Sequence, residues 1–456
     1  MTAVVDRSTL PVPGPPRPFR FPAVTRTTIA PGGVDLRVVP QHTAPVVSIT
    51  ALVRGGSAAD PADRPGLSAF TADLLDDGAG DLDGPGLADV LARIGADADI
   101  EVWPDATVLS ITTLARHAGR AVDLLADLLR RPRFAEADVD RVRALRLDRL
   151  RQMRAQAATL ADRAFTRAIY GAHPYGHPGI GDVASVTAAT GDDIRGQHAR
   201  TFRPDGTTLV IAGDVDVDLA AHLAASAFGD WRGAPASPSR VEGLPEPPPA
   251  VRVRLVARAG APQSELRVGH VSAARSTPDY HALLLWNAAL GGQFVSRLNL
   301  NLRQAKGYTY GVRSGFDFRR DRGPFSIHTS VQPSATGDAL REILREVGDM
   351  LDGRPMTSQE LTRARAAVGL GYPRGFETAQ QVGRAVAQMS LHELSADHFE
   401  QFVPRLNAVA LDDVTAAARR HVWPDTLTAV VVGDPALVEP QLAEAGLTAE
   451  RIDDPV

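Results

Sequence analysis

The sequence holds 12 histidines and 54 aspartates and glutamates, but few of them are grouped as a metal site or a proton relay needs. Asp73, Asp76 and Asp77 close the segment RPGLSAFTADLLDDG (64–78). If that segment is a helix, Asp73 and Asp77 share one face, and paired carboxylates suit a hard cation. Acids crowded at the end of a helix more often form a solvated face, and that is the reading adopted. His173 and His177 bracket a turn in HPYGHP, between two prolines. His392 and His398 in HELSADH are six residues apart, which on one helix puts them on different faces. There is no cysteine, so thiolate metal sites, disulfides and a cysteine nucleophile are excluded.

The elements that must carry these residues follow from periodicity. In the 64–78 segment Leu67, Phe70, Leu74 and Leu75 recur at helical spacing behind Pro65 and Gly66. An apolar strand, PVVSITALV (45–53), precedes it, and ATVLSITTLA (106–115) follows with strand character. Amphipathic helices are predicted over 117–131 and 134–150. The same order returns later. SELRVGHV (264–271) is read as a strand, DYHALLLWNAAL as a helix, GPFSIHTSVQ (323–332) as a strand and 335–353 as a long helix. GLGYPRGF (369–376) interrupts helical segments and reads as a bend or hinge.

A closer repeat lies at the ends of the two parts. TGDDIRGQHARTFRPDGTTLVIAGDVD is echoed by LDDVTAAARRHVWPDTLTAVVVGDPA. Asp192-Asp193, Arg200, Pro204-Asp205 and Gly213-Asp214 match Asp412-Asp413, Arg420, Pro424-Asp425 and Gly433-Asp434, all at an offset of 220 without a gap. That predicts an internal duplication. The Pro-rich stretch 229–250 separates the copies. The expected organisation is a Pro-rich arm over 1–24, a first domain over 25–232, a linker over 233–250 and a second domain over 251–456. Strands in runs followed by helices argue for an α+β fold, two homologous domains in which helices cover one face of a mostly antiparallel sheet.

Composition narrows the function classes. Among 456 residues, 44% are hydrophobic and 23% charged, with a net charge of -5; Lys306 is the only lysine. No basic stripe is present, so nucleic acid is not expected as a partner. No apolar run approaches the length of a membrane span, and the proline-rich N-terminus does not read as a signal peptide. No membrane association and a cytoplasmic location are expected.

The duplication, RPGLSAF, IYGAHPYGHPGIGD (169–182) and NLRQAKGYTYGVRSGF (301–316) together resemble the pitrilysin/insulinase family of zinc metallopeptidases. The likeness is to its short bacterial members, which are similar to mitochondrial processing peptidase subunits, and it spans about residues 25–440. The family's signature is His-x-x-Glu-His on the first-half helix, with two ligands on one helical face and a general base between them. Here the motif positions read Ala69, Ala72 and Asp73. The third ligand of the family would fall at Arg149, or at Asp148 one residue away; an arginine binds no cation. The resemblance also makes the HPYGHP segment structural.

In the family, an Arg and a Tyr seven residues apart come from the C-terminal half and hold substrate. Here they correspond to Arg303 and Tyr310. A guanidinium and a phenol can both donate hydrogen bonds to a peptide carbonyl or to the oxyanion formed at it. Local spacing places Phe294, Leu298 and Leu302 on one inward helical face, ends that helix at Gly307, and puts Tyr308 and Tyr310 on one face of a strand, with Tyr308 packing. The resemblance therefore implies a non-catalytic, substrate-binding subunit, clamshell-shaped when dimerised. It carries no metal of its own and supplies Arg303 and Tyr310 to zinc on a homologous partner bearing His-x-x-Glu-His, with a peptide as substrate. The alternative is a scaffold or peptide-binding protein of the same fold without proteolysis.

Overall fold

The computed structural model describes residue 14 and residues 19–233 and 243–452. The expected arm and linker thus lie partly outside the described residues. The first half runs β1 (Thr25–Ile29), β2 (Val34–Pro40), β3 (Val46–Arg54), α1 (Leu67–Asp73), a short hairpin of β4 (Gly78–Ala79) and β5 (Leu82–Asp83), and α2 (Gly84–Arg93). It continues through β6 (Asp97–Val102), β7 (Ala106–Leu114), α3 (Ala118–Arg130), α4 (Glu136–Ala155), α5 (Ala157–Tyr170), α6 (Val183–Ala188), α7 (Gly191–Thr201), β8 (Thr207–Gly213) and α8 (Val217–Phe228).

The second half repeats this plan. It runs β9 (Arg252–Ala257), β10 (Ser264–Val271), α9 (Tyr280–Asn287), β11 (Thr309–Phe316), β12 (Pro324–Val331), α10 (Thr336–Gly348), α11 (Ser358–Gly371) and α12 (Ala379–Leu391). It closes with α13 (His398–Ala408), α14 (Leu411–His421), β13 (Thr428–Gly433), α15 (Pro435–Glu444) and β14 (Ala449–Ile452).

The duplication is visible in the sheets. One is ordered β6-β7-β3-β8-β2-β1 and the other β11-β12-β10-β13-β9-β14, so the strands correspond position by position. The helices α7 and α14 keep the offset of 220. In both sheets the first three neighbour pairs are antiparallel and the fourth, β8 with β2 or β13 with β9, is parallel. The outer strands differ: β1 runs antiparallel to β2, whereas β14 is parallel to β9.

The expectation that helices cover one face of each sheet needs correction. The central strands β3, β8 and β13 are buried along nearly their whole length, as strands covered on both faces are. The second cover comes from the other half. Helix α5 packs on β10 and β13, while its counterpart α12 packs on β3 and β8. Arg267 of β10 ties α5 down by donating to the Asp162 carboxylate at 2.5 Å and the Ala158 carbonyl at 3.2 Å. Helix α12 lies so close to β3 that a Cβ on Gly383 would come within 3.0 Å of Thr50 Oγ1. The GLGYPRGF bend is the crossover: α11 ends at Gly371, a 3-10 turn spans Tyr372–Phe376, and α12 begins on the other sheet. Among the described residues no helix is long and apolar enough to cross a membrane.

Candidate functional site

Helix α1 is built by its surroundings. The buried Asp60 carboxylate accepts the backbone N–H groups of Gly66 and Ser68, each at 2.7 Å, and so closes the open N-terminal donors of the helix. Gly66 sits at φ +87, and a Cβ there would be 2.5 Å from Gly181. The Pro-Gly entry therefore reflects a backbone-to-backbone contact that only glycine permits. Leu67, Phe70 and Ala72 face the core; Ala69 is partly covered and Asp73 is exposed.

The position expected for a third ligand is occupied by a different residue. Neither Asp148 nor Arg149 faces α1; both are exposed. The residue that reaches across is Arg146, only 4% exposed. Its guanidinium donates to Asp73 Oδ2, to the Ile180 carbonyl at 2.7 Å and, at 3.4 Å, to the Gly66 carbonyl. It also stands 5.3 Å from the Phe70 ring centroid. Burial pushes its pKa below the ordinary guanidine value, and the Asp73 carboxylate opposes that shift. One turn along α4, Arg141 pairs with Asp77 at 2.5 Å. Asp76 lies between, its pKa raised by burial and by its neighbour Asp77. The acidic end of α1 is thus balanced by arginines from α4.

These residues do not fit zinc. Two of the three motif positions offer only methyl groups, and the third is a carboxylate already held by a fixed cation. Among the described residues no group of three His, Asp or Glu side chains is placed to hold a metal ion. Residues 173–177 also prove structural in their contacts. His173 Nδ1 accepts the Tyr175 N–H at 3.0 Å, and Tyr175 donates its hydroxyl to Asp105 at 2.5 Å.

In the second half, Arg303 lies on a π-helical stretch, Asn299–Ala305, and Tyr310 on the edge strand β11. The structure brings the two together. The Arg303 guanidinium sits 5.1 Å from the Tyr310 ring centroid and 4.3 Å from that of Phe294. Arg303 has no hydrogen bond or ion pair among the described residues, so its donors are free. Tyr310 is 89% exposed. Gly307 ends the helical stretch at φ +66, as its spacing predicts.

Two local expectations differ. Phe294 is 71% exposed in the loop before the helix, whereas Leu298 and Leu302 are buried. Tyr308 and Tyr310 do not share a face: β11 starts at Thr309, and the register with β12 slips between Thr309 and Val312. This bulge turns Tyr310 outward, while Tyr308 packs inward as expected, its hydroxyl 3.4 Å from Asp338.

Asn299 is a residue that the sequence reading missed. Its side chain is buried and brackets Val312, donating to the carbonyl at 2.8 Å and accepting the N–H at 3.0 Å. It fastens the helix carrying Arg303 to the strand carrying Tyr310. In Leu298-Asn299-Leu300-Asn301-Leu302 the two asparagines look alike, so the sequence carried no signal that singled out Asn299.

Fold and site together describe a duplicated peptidase-type chain whose first-half helix is closed to metal and whose second half presents an open Arg–Tyr pair. Residues 37–182 match the insulinase family (peptidase family M16), and residues 188–368 match the peptidase M16 inactive domain. The chain belongs to the insulinase family, and to its non-catalytic type. An uncharacterised zinc protease of Mycobacterium leprae is 27% identical over 406 residues, 88% of this chain and 90% of that one. A non-peptidase homologue from Helicobacter pylori is 22% identical over 43% of this chain and 45% of its own. Among solved structures, a peptidase M16 inactive domain from Pseudomonas fluorescens superposes with a TM-score of 0.84 at 25% identity, covering 90% of this chain and 98% of that one.

Proposed function

We propose that this chain is the substrate-binding, non-catalytic subunit of a heterodimeric zinc peptidase. The partner is a homologous chain carrying His-x-x-Glu-His, and the two close as a clamshell around a peptide. The observation that supports this reading most is the Arg303–Tyr310 pair: a guanidinium with no ion-pair partner, stacked between two exposed rings. Nearby in sequence, Arg297 is by contrast already committed, paired with Glu360 at 2.7 Å.

In the assembled site, zinc on the partner would supply an activated water and polarise the scissile carbonyl. The work of this chain is hydrogen bonding. Arg303 donates to a substrate carbonyl through its planar fork, and Tyr310 donates its hydroxyl to the oxygen that gains charge. Phe294 and Tyr310 limit the rotamers of Arg303, which lowers the ordering cost when substrate arrives. Asn299 fixes the spacing between the two donors.

A second reading, peptide binding without proteolysis, draws on the edge position of β11, since an open strand edge can accept an extended peptide. Co-purification with a same-length His-x-x-Glu-His protein separates the two. Peptidase activity found only in the mixture supports the first reading. Peptide binding by the isolated chain, with no gain in turnover on mixing, supports the second.

A further inference from the structure

Where α12 crosses to the first sheet, it leaves a cleft of about 490 Å³ between itself, α9, α13 and the 372–376 turn. Its walls are aromatic: Tyr280, Phe318, Tyr372, Phe376, Phe399 and Phe402 all line it. Tyr372 and Phe402 stack with ring centroids 3.9 Å apart. No aspartate or glutamate is among the lining residues.

The charge in the cleft is unbalanced. Two arginines line it. Arg384 is spoken for, because it donates to Glu101 and lies 3.8 Å from Asp99. Arg275 makes no ion pair among the described residues. Its guanidinium lies 3.6 Å from the Tyr280 ring centroid, and Nη2 stands 3.1 Å from His398 Nε2. Burial holds both His392 and His398 at about 4, so neither adds charge at neutral pH. The neutral His398 must then accept from Arg275. The hydroxyls of Tyr280 and Tyr372 have no hydrogen-bond partner among the described residues, and His392 Nδ1 is buried without one. The cleft is therefore rich in donors, singly positive and walled by rings, with no acceptor of matching charge. A partly buried cation in that state is costly, and stacking on one ring offsets only part of the cost.

We propose that this cleft binds a monocarboxylate with an aromatic or branched apolar body, the carboxylate on Arg275 and the body against the aromatic wall that the stacked Tyr372 and Phe402 rings form. The volume suits a single amino-acid-sized ligand or the last residues of a peptide. One unpaired guanidinium matches one carboxylate bidentately. All the lining residues belong to the second half, but α12 packs on the first sheet while α9 packs on β11 of the second, so an occupant would bridge elements held by different sheets, and binding would raise thermal stability by mass action.

Calorimetric titration of the full chain with N-acetyl-phenylalanine and with its uncharged amide tests this. The acid should bind at least about tenfold more tightly than the amide, the scale set by a charge-assisted hydrogen bond. Arg275→Gln should bring the acid down to the amide's affinity and leave the amide unchanged; Arg275→Lys, which keeps the charge, should fall between. A peptide ending in phenylalanine, with a free or an amidated terminus, distinguishes the sources. Preference for the free terminus assigns the site to chain ends; binding of the free acid alone assigns it to small acids. Equal binding of acid and amide, no binding of either at millimolar concentration, or wild-type acid affinity in a folded Arg275→Gln protein would overturn the proposal.

Discussion

Arg146→Met tests whether a guanidinium has taken over the structural work of a metal between α1 and α4. The substitution keeps apolar bulk beside Phe70 and removes every donated bond. The Ile180 carbonyl, bonded at 2.7 Å, loses its partner, which costs about 1–3 kcal/mol. The Gly66 contact at 3.4 Å is too long to add much. Asp73 loses its counter-ion, but its side chain is 48% exposed, so water restores most of its solvation and the loss is about 1 kcal/mol rather than the 3–5 of a fully buried pair. Contacts made by the methionine return part of this. The expected destabilisation is about 2 kcal/mol. Asp73→Ala should cost more, about 3 kcal/mol, because it strands a cation only 4% exposed. The double variant should cost less than the two losses added, by at least about 1 kcal/mol. Urea unfolding followed by circular dichroism reads all three. A loss below about 0.5 kcal/mol for Arg146→Met, or strict additivity in the double variant, would refute the reasoning.

Three further outcomes are expected. Asn299→Ala leaves both polar groups of the buried Val312 backbone unpaired, and should cost about 2–4 kcal/mol in chemical unfolding; an unchanged midpoint would show that the bracket carries no weight. Gly66→Ala forces a Cβ to within 2.5 Å of Gly181 at φ +87 and should destabilise by more than about 2 kcal/mol, read by thermal melting; a melting temperature equal to that of the unaltered chain would remove the explanation given for Pro65-Gly66. Burial holds His270 at about 4, against 6.5 when free; its Nδ1 donates to the Val271 carbonyl at 2.9 Å and its Nε2 accepts the Trp423 N–H at 3.2 Å. The unfolded chain takes up this proton first, so the contribution of His270 is complete above pH 6.5 and is lost as the pH falls toward 4, with about 2 kcal/mol gone by pH 5. Urea midpoints at about pH 7.5 and 5 should therefore fall less in His270→Gln than in the unaltered chain, and equal falls would contradict this.

What the sequence made legible is what local pattern encodes. The offset of 220 survives as α7 with β8 against α14 with β13, because a helix, a tight Pro-Asp turn and a strand ending in glycine are each written in neighbouring residues. The predicted strand over 264–271 is observed with the same ends. The exchange of α5 and α12 was not legible, since each packs on strands distant in sequence and its own periodicity cannot say which sheet it meets. The unbroken apolar run of β13 was the hint, because a strand with one wet face alternates; β3 hid its second cover, since Ser48 and Thr50 fall at alternate positions although both are buried.

The site was legible in part. Ala69, Ala72 and Asp73 do lie on the helix predicted for them, and Arg303 and Tyr310 are neighbours in space. The inward residue of α4 is Arg146, three before the expected Arg149, and Phe134 at the head of the predicted helix gives no register for it. Phe134 stands at φ 45, outside the helix, and the buried stripe Val139, Val142, Arg146 and Leu150 marks the true inward face. Tyr308 and Tyr310 were placed on one face by simple alternation, which a bulge breaks. His392 and His398 do come from different elements, the end of α12 and the start of α13, yet the crossover brings both to one cleft.

The most direct test of the subunit assignment is peptide turnover by the complex of this chain with a same-length partner bearing His-x-x-Glu-His, measured with Arg303→Ala. The predicted result is a complex of unchanged stoichiometry whose turnover falls by about 10²-fold or more, the scale for loss of one donor to a developing oxyanion. An intact complex that cleaves peptide at the unaltered rate would contradict the account.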